Sequence, residues 1–133
     1  MRYAILCYNS EEIVWSWTKA EDDAVMARLG VVHERLEKAG KLGPSLRLMP
    51  TTTATTLRKG DEPLILDGPF VETKEQLLGF YIVDADSLEE VVQIAKDLAV
   101  ANPGAGGYEI RPLRLFLPGT PMAEMAAGEA AEG

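Results

Sequence analysis

A chain of 133 residues fits one domain with a single buried core and no need of staples, and its one cysteine, Cys7, excludes an intramolecular disulfide or a thiolate metal cluster. The 21 acidic residues outweigh the 13 basic ones to leave a net charge of -8, which repels phosphate backbones, and no Lys/Arg cluster compensates, so nucleic acid is not an expected partner. No apolar run approaches the ~20 residues of a spanning helix, and the N-terminal run is too short for a signal-peptide core. The expectation is a cytoplasmic protein without membrane contact.

Residues 2–8 are apolar at nearly every position and bounded by Asn9 and Ser10, which predicts a strand buried on both faces. Thr18 and Glu21 form a capping box ahead of a helix over 19–39, and Gly40 is suited to the left-handed position that ends it. Val25, Leu29, Val32 and Leu36 share one face of that helix, with Arg28, Glu34, Arg35 and Lys38 directed elsewhere. Residues 53–58 are β-branched, and the turn at 59–62 returns the chain into 64–66 as a hairpin, with Pro63 at a strand start or edge.

Residues 77–83 are again apolar on both faces. Ser87 and Glu90 then offer a second capping box, and Leu88, Val91, Val92, Ala95 and Leu98 supply the buried face of a second helix, broken by the glycine-rich 102–107. Over 108–113, Tyr108 and Ile110 alternate with Glu109 and Arg111, as in a half-exposed strand. From Pro118 the chain lacks β-branched and aromatic residues except Thr120, is rich in Ala, Gly and Glu, and reads as a mobile acidic tail over 118–133.

The order β-α-β-β-α-β, with an extra short hairpin strand in the middle, predicts an α+β, ferredoxin-like fold: one sheet with two helices on one face. The first and third principal strands are central in that topology, and they are the two that read apolar on both sides. Helices cover only one face, so a second subunit is expected to stack on the other, making a homodimeric α/β barrel.

The stretch LDGPFVETKEQLLGFYIVDADSLEE (66–90) resembles the signature of the DGPF branch of the YCII-related proteins. Supporting segments are the N-terminal strand, GPSLRLMPTTTATTLR (43–58) and YEIRP (108–112), so the likeness assigns a domain to 1–117. The resemblance implies a dimeric α/β barrel with a cleft beside the sheet, and a histidine and an aspartate as its catalytic dyad. Similar proteins remove chloride from hydroxylated aromatic rings, and neighbouring barrel families include lactone isomerases and cofactor-free monooxygenases. Members of the DGPF branch are also linked, through gene neighbourhood, to extracytoplasmic-function sigma factors.

His33 is the sole histidine and lies about 40° from Leu29 around the helix, inside the apolar stripe. An imidazole there needs a hydrogen-bond partner, and its ordinary pKa near 6.5 suits proton transfer at neutral pH. It matches the family's helix histidine by position. Asp67 precedes Gly68-Pro69, where an aspartate serves either the turn or, as the resemblance implies, His33. Glu72, Lys74 and Glu75 read first as a solvated turn, Phe70 as an anchor packing that turn on the core, and Gly79 as a close backbone approach.

Tyr3, Tyr8, Phe80 and Tyr81 on the central strands serve either core packing or an aromatic-binding cleft. Trp15 and Trp17 either cover its mouth or staple the helix entry, Arg47 is a candidate for an anionic substrate group, and Cys7 reads as an inert buried thiol. The candidate ligand contacts are therefore Tyr8, Arg47, Phe70 and Tyr81. One histidine with scattered carboxylates argues against zinc, and there is neither a phosphate-cradling glycine loop nor a nucleophile elbow. No cofactor is expected, haem on His33 being a minor alternative. Two readings follow: a cofactor-free lyase or isomerase acting on a small aromatic or lactone-like molecule, with His33 moving the proton and Asp67 orienting it, or a non-catalytic ligand-binding or regulatory protein linked to a sigma factor.

Overall fold

The structure, a computed structural model, describes residues 1–123. Residues 124–133 of the expected tail lie outside them. The described chain runs β1 (Arg2–Asn9), α1 (Glu11–Val14), α2 (Lys19–Lys38), β2 (Leu42–Arg47), a single 3-10 turn (Thr51–Thr53), β3 (Thr55–Arg58), β4 (Leu64–Asp67), β5 (Gln76–Asp84), α3 (Leu88–Ala101) and β6 (Gly107–Pro112). It divides into two compact units. The first comprises Met1–Leu48 and Thr73–Leu113; the second comprises Met49–Glu72 and the chain from Arg114.

The first unit is an antiparallel four-stranded sheet in the order β2-β5-β1-β6, the ferredoxin-like arrangement with β1 and β5 central. Alternation sends Tyr3, Ile5, Val83 and Tyr81 to the face carrying α2 and α3, where they meet Val25, Leu29, Val32 and Leu36 of α2 and Val91, Ile94 and Leu98 of α3. Ile5, Val83, Val91 and Leu98 are essentially inaccessible, and each side chain of this kind contributes about 1.5–3 kcal/mol by leaving water. The opposite face is less exposed than the sequence suggests: Ala4 and Ile82, paired across β1 and β5, are each only 8% exposed, and Leu6, Leu78 and Phe80 are half-buried.

Local signals set the helix ends. Thr18 accepts from the Glu21 amide at 3.1 Å while the Glu21 carboxylate accepts from the Thr18 amide, the complete capping box. At the other end Gly40 takes φ of +70°, and its amide and that of Lys41 reach the carbonyls of Glu37 and Leu36, so the last turn closes as a Schellman motif. Ser87 caps α3 through the Glu90 amide, and the Glu90 carboxylate is paired with Lys41 just after α2. Two further cross-links, Arg28 Nε to the Ala101 carbonyl at 2.8 Å and Arg35 to Asp97 at 2.7 Å, tie α2 to α3.

The second strand of the sheet departs from the sequence reading. It is β2, Leu42–Arg47, a segment whose Gly43-Pro44-Ser45 shows no strand pattern; it pairs with β5 across an irregularity between Leu42 and Ser45, an edge position where a proline costs no ladder bond. Residues 53–58 and 64–66, expected to feed the principal sheet and its extra strand, instead form a separate two-stranded sheet, β3 with β4, in the second unit. Its open end, away from the turn at 59–63, is closed by two bonds: the Gly68 amide donates to the Ala54 carbonyl and the Thr56 hydroxyl to the Gly68 carbonyl, with Gly68 at φ of +105°. The unit displays apolar side chains, among them Leu57 at 58% and Ile65 at 71% exposure, directly opposite each other.

Candidate functional site

In β5, Gly79 faces Cys7 of β1 on one side and Arg47 of β2 on the other, and the register then places Tyr81 diagonal to Arg47 on the helix-bearing face. Gly79 is required there, because a Cβ would overlap the Leu46 carbonyl oxygen and stand 3.1 Å from the Arg47 Cα. The sequence reading of a close backbone approach thus holds. Above this part of the sheet runs α2, whose Asp22, Met26, Leu29 and His33 follow one another at helical spacing along the side that meets β2 and β5.

Two contacts join helix to sheet. His33 Nε2 and the Tyr81 hydroxyl are 3.0 Å apart, the rings meeting edge to face with centroids 5.2 Å apart. One atom donates and the other accepts according to the imidazole tautomer. Farther toward the start of the helix, the Arg47 guanidinium lies 3.2 Å from an Asp22 oxygen and 3.4 Å from the Met26 sulfur. Half-buried Cys7, Trp17 and Tyr108 pack at the edge of the core on the same face.

Burial dominates the electrostatics. It holds the His33 imidazole below its usual pKa, partly opposed by Glu37 one turn along α2, and it pushes Tyr81 well above the ordinary phenol range, partly opposed by Arg47. Both members of the pair are therefore neutral near pH 7. Desolvation also pushes the Cys7 thiol up to about 12, as suits a packed thiol whose Sγ points at the Ile5 carbonyl.

The other candidates belong to other parts of the chain. Tyr8 follows Cys7 on β1, is half-buried, and stands where the pairing with β5 shifts register, Cys7 opposing Gly79 and Tyr8 opposing Leu77. Asp67 closes β4 and Phe70 lies just beyond it, both in the second unit, whereas His33, Tyr81 and Arg47 belong to the first. Phe70 does not pack as a core anchor: it is 63% exposed, with the Arg58 guanidinium 4.9 Å over its ring. The Asp67 carboxylate is exposed and makes no hydrogen bond among the described residues. Tyr81 as the hydrogen-bond partner of His33, and Asp22 and Met26 as the partners of Arg47, were not read from the sequence. The signal available was period-two alternation on residues 77–83, which puts Tyr81 with Val83 on one face, but nothing local states which face meets the helix. Among the described residues no group of three or more His, Cys, Asp or Glu side chains is placed to hold a metal ion. No helix among them is long and apolar enough to cross a membrane.

The YCII-related domain model matches residues 1–117. The chain belongs to the YCII-related family. A relative from Rhizobium meliloti (strain 1021), described as an uncharacterized protein, is 54% identical over 120 residues, covering 90% of this chain and 97% of its own length. The YCII-related match takes in both the sheet with its helices and the β3-β4 hairpin, and therefore all the candidate residues.

Proposed function

We propose that this YCII-related chain, of the DGPF branch, is a homodimeric small-molecule-binding protein working by cofactor-free acid–base chemistry on a small aromatic or lactone-like compound, in a lyase or isomerase step. The observation that carries the reading is the contact of 3.0 Å between His33 Nε2 and the Tyr81 hydroxyl, made by half-buried groups that are both neutral near pH 7. A neutral imidazole can take a proton from carbon beside a carbonyl, and a phenol too weakly acidic to ionise can donate a hydrogen bond to the oxygen on which charge develops. Returning the proton to a different carbon completes an isomerisation; expelling a group from the adjacent carbon completes an elimination. Asp67 enters as the carboxylate that would orient His33, a role that rests on the family resemblance.

Crystals soaked with phenols and small lactones test the proposal. A bound ring or carbonyl within hydrogen-bond distance of His33 Nε2 and Tyr81 Oη supports it. Binding of these compounds confined to other places refutes it. A second reading, a non-catalytic regulatory protein linked to a sigma factor, is favoured by the exposed apolar side chains of the β3-β4 hairpin, Leu57 and Ile65 opposite each other among them, since contiguous exposed apolar patches mark protein contacts. Loss of a protein partner on Ile65→Asp, with small-molecule binding absent at His33, decides for that alternative.

A further inference from the structure

The proposed site holds a base and a hydroxyl donor; it also holds a cation, and the cation restricts what can bind. Arg47 and Tyr81 are diagonal neighbours on one face of β2 and β5, a relation that puts Cα atoms roughly 7–8 Å apart and long side chains within reach of each other. Between Arg47 and Cys7, the intervening strand contributes only Gly79, so no side chain from β5 stands in that row. Trp17 and Tyr108, half-buried against the core, add flat apolar surface on the same face.

The partners of Arg47 are poor ones. A guanidinium presents five donors in a planar fork suited to gripping a carboxylate through two parallel bonds. Here it makes one contact of 3.2 Å to a single Asp22 oxygen and one of 3.4 Å to the Met26 sulfur, with both members of the ion pair partly exposed. Such a pair contributes on the order of 0–1 kcal/mol, so a better-aligned carboxylate can replace Asp22 at little cost. Three other cations serve the packing of the helices: Arg28 on the Ala101 carbonyl, Arg35 on Asp97 and Lys41 on Glu90 link the helices or their ends. With a net charge of -8 the chain repels anions in general, so attraction of one to this face has to be local.

We infer that the ligand of the His33–Tyr81 site is a small planar carboxylic acid, its carboxylate taken by Arg47 in exchange for Asp22 and its reacting end presented to Tyr81 and His33. The inference rests on the acid–base reading above and adds the substrate class to it. Arg47 is then a specificity-determining residue: it decides which molecules present a carbonyl or an acidic C–H to the pair.

The test uses the full chain with benzoate and benzamide, which share size and ring and differ in charge, followed by NMR through the His33 and Tyr81 ring resonances. Benzoate is expected to shift both rings and to bind about tenfold more tightly than benzamide, the advantage of one charged hydrogen-bonded contact of about 1.4 kcal/mol. Arg47→Gln, a change at an exposed ion pair that leaves folding intact, should bring the two affinities within about twofold of each other. Asp22→Asn, which removes the competing carboxylate, should tighten benzoate. Equal affinities in the parent chain, with both rings shifted, overturn the carboxylate anchor and leave the acid–base reading standing. An affinity ratio unchanged in Arg47→Gln, or benzoate binding unchanged in Asp22→Asn, also overturns the anchor. Failure of both probes to move the His33 and Tyr81 resonances at millimolar concentration overturns the anchor and the acid–base reading together.

Discussion

Replacing Gly79 with alanine tests how the two halves of the candidate site are held together. The added Cβ would overlap the Leu46 carbonyl oxygen and stand 3.1 Å from the Arg47 Cα, and both obstacles are backbone, which cannot rotate away as a flexible side chain can. Ordinary non-bonded separation requires β2 to retreat from β5 by about 1 Å. The bonds at risk are the ladder around Leu46 and Arg47 and the 2.8 Å bond from the Leu48 amide to the Leu78 carbonyl. Two or three such bonds at about 1 kcal/mol each, less a few tenths recovered from alanine's stiffer unfolded chain, give a loss of about 2–3 kcal/mol. For a domain of this size the melting temperature falls by about 10 °C. Urea unfolding followed by far-ultraviolet circular dichroism measures the change directly. Gly30→Ala is the control, since nothing lies within 4 Å of the place its added methyl would occupy and the residue is inside α2, where alanine should stabilise by about 0.5–1 kcal/mol. A loss below about 0.5 kcal/mol in Gly79→Ala would refute the argument that backbone approach, not chance, keeps glycine there.

Three further outcomes are expected. His33 should titrate below its ordinary 6.5, because burial outweighs Glu37; since the unfolded chain then binds the proton more readily, the contribution is present above pH 6.5 and is lost as pH falls from there through the folded value. A histidine ring titration by NMR that gave a folded pKa at or above 6.5 would reverse that sign. Cys7, its thiol held at about 12, should resist iodoacetamide at pH 8 in the folded protein and react promptly in urea; equal rates in both would contradict its burial. Light scattering at low micromolar concentration should give twice the 14.5 kDa chain mass; a parent chain that stays monomeric removes the dimer from the proposal.

What the sequence determined by itself is what short-range chemistry controls. Thr18 with Glu21 starts α2 and Gly40 ends it, because each satisfies backbone groups within a few residues of itself. The alternation of Tyr108, Glu109, Ile110 and Arg111 announces a half-exposed strand for the same reason, and two-sided apolar character marks β1 and β5 as central. The tertiary structure alone decided pairings between distant segments. Gly43-Pro44-Ser45 has no strand propensity and becomes part of β2 only through bonds to β5, whereas the better-patterned 55–58 and 64–67 pair with each other apart from the principal sheet. Phe70 turned outward although its aromaticity suggested a core anchor, for a ring can lie under a guanidinium as well as in a core. His33 facing the sheet was legible from helical spacing. That it meets Tyr81, 48 residues away, was not, because the identity of a partner across two elements depends on where a packed helix comes to rest over a sheet, and no local propensity encodes that.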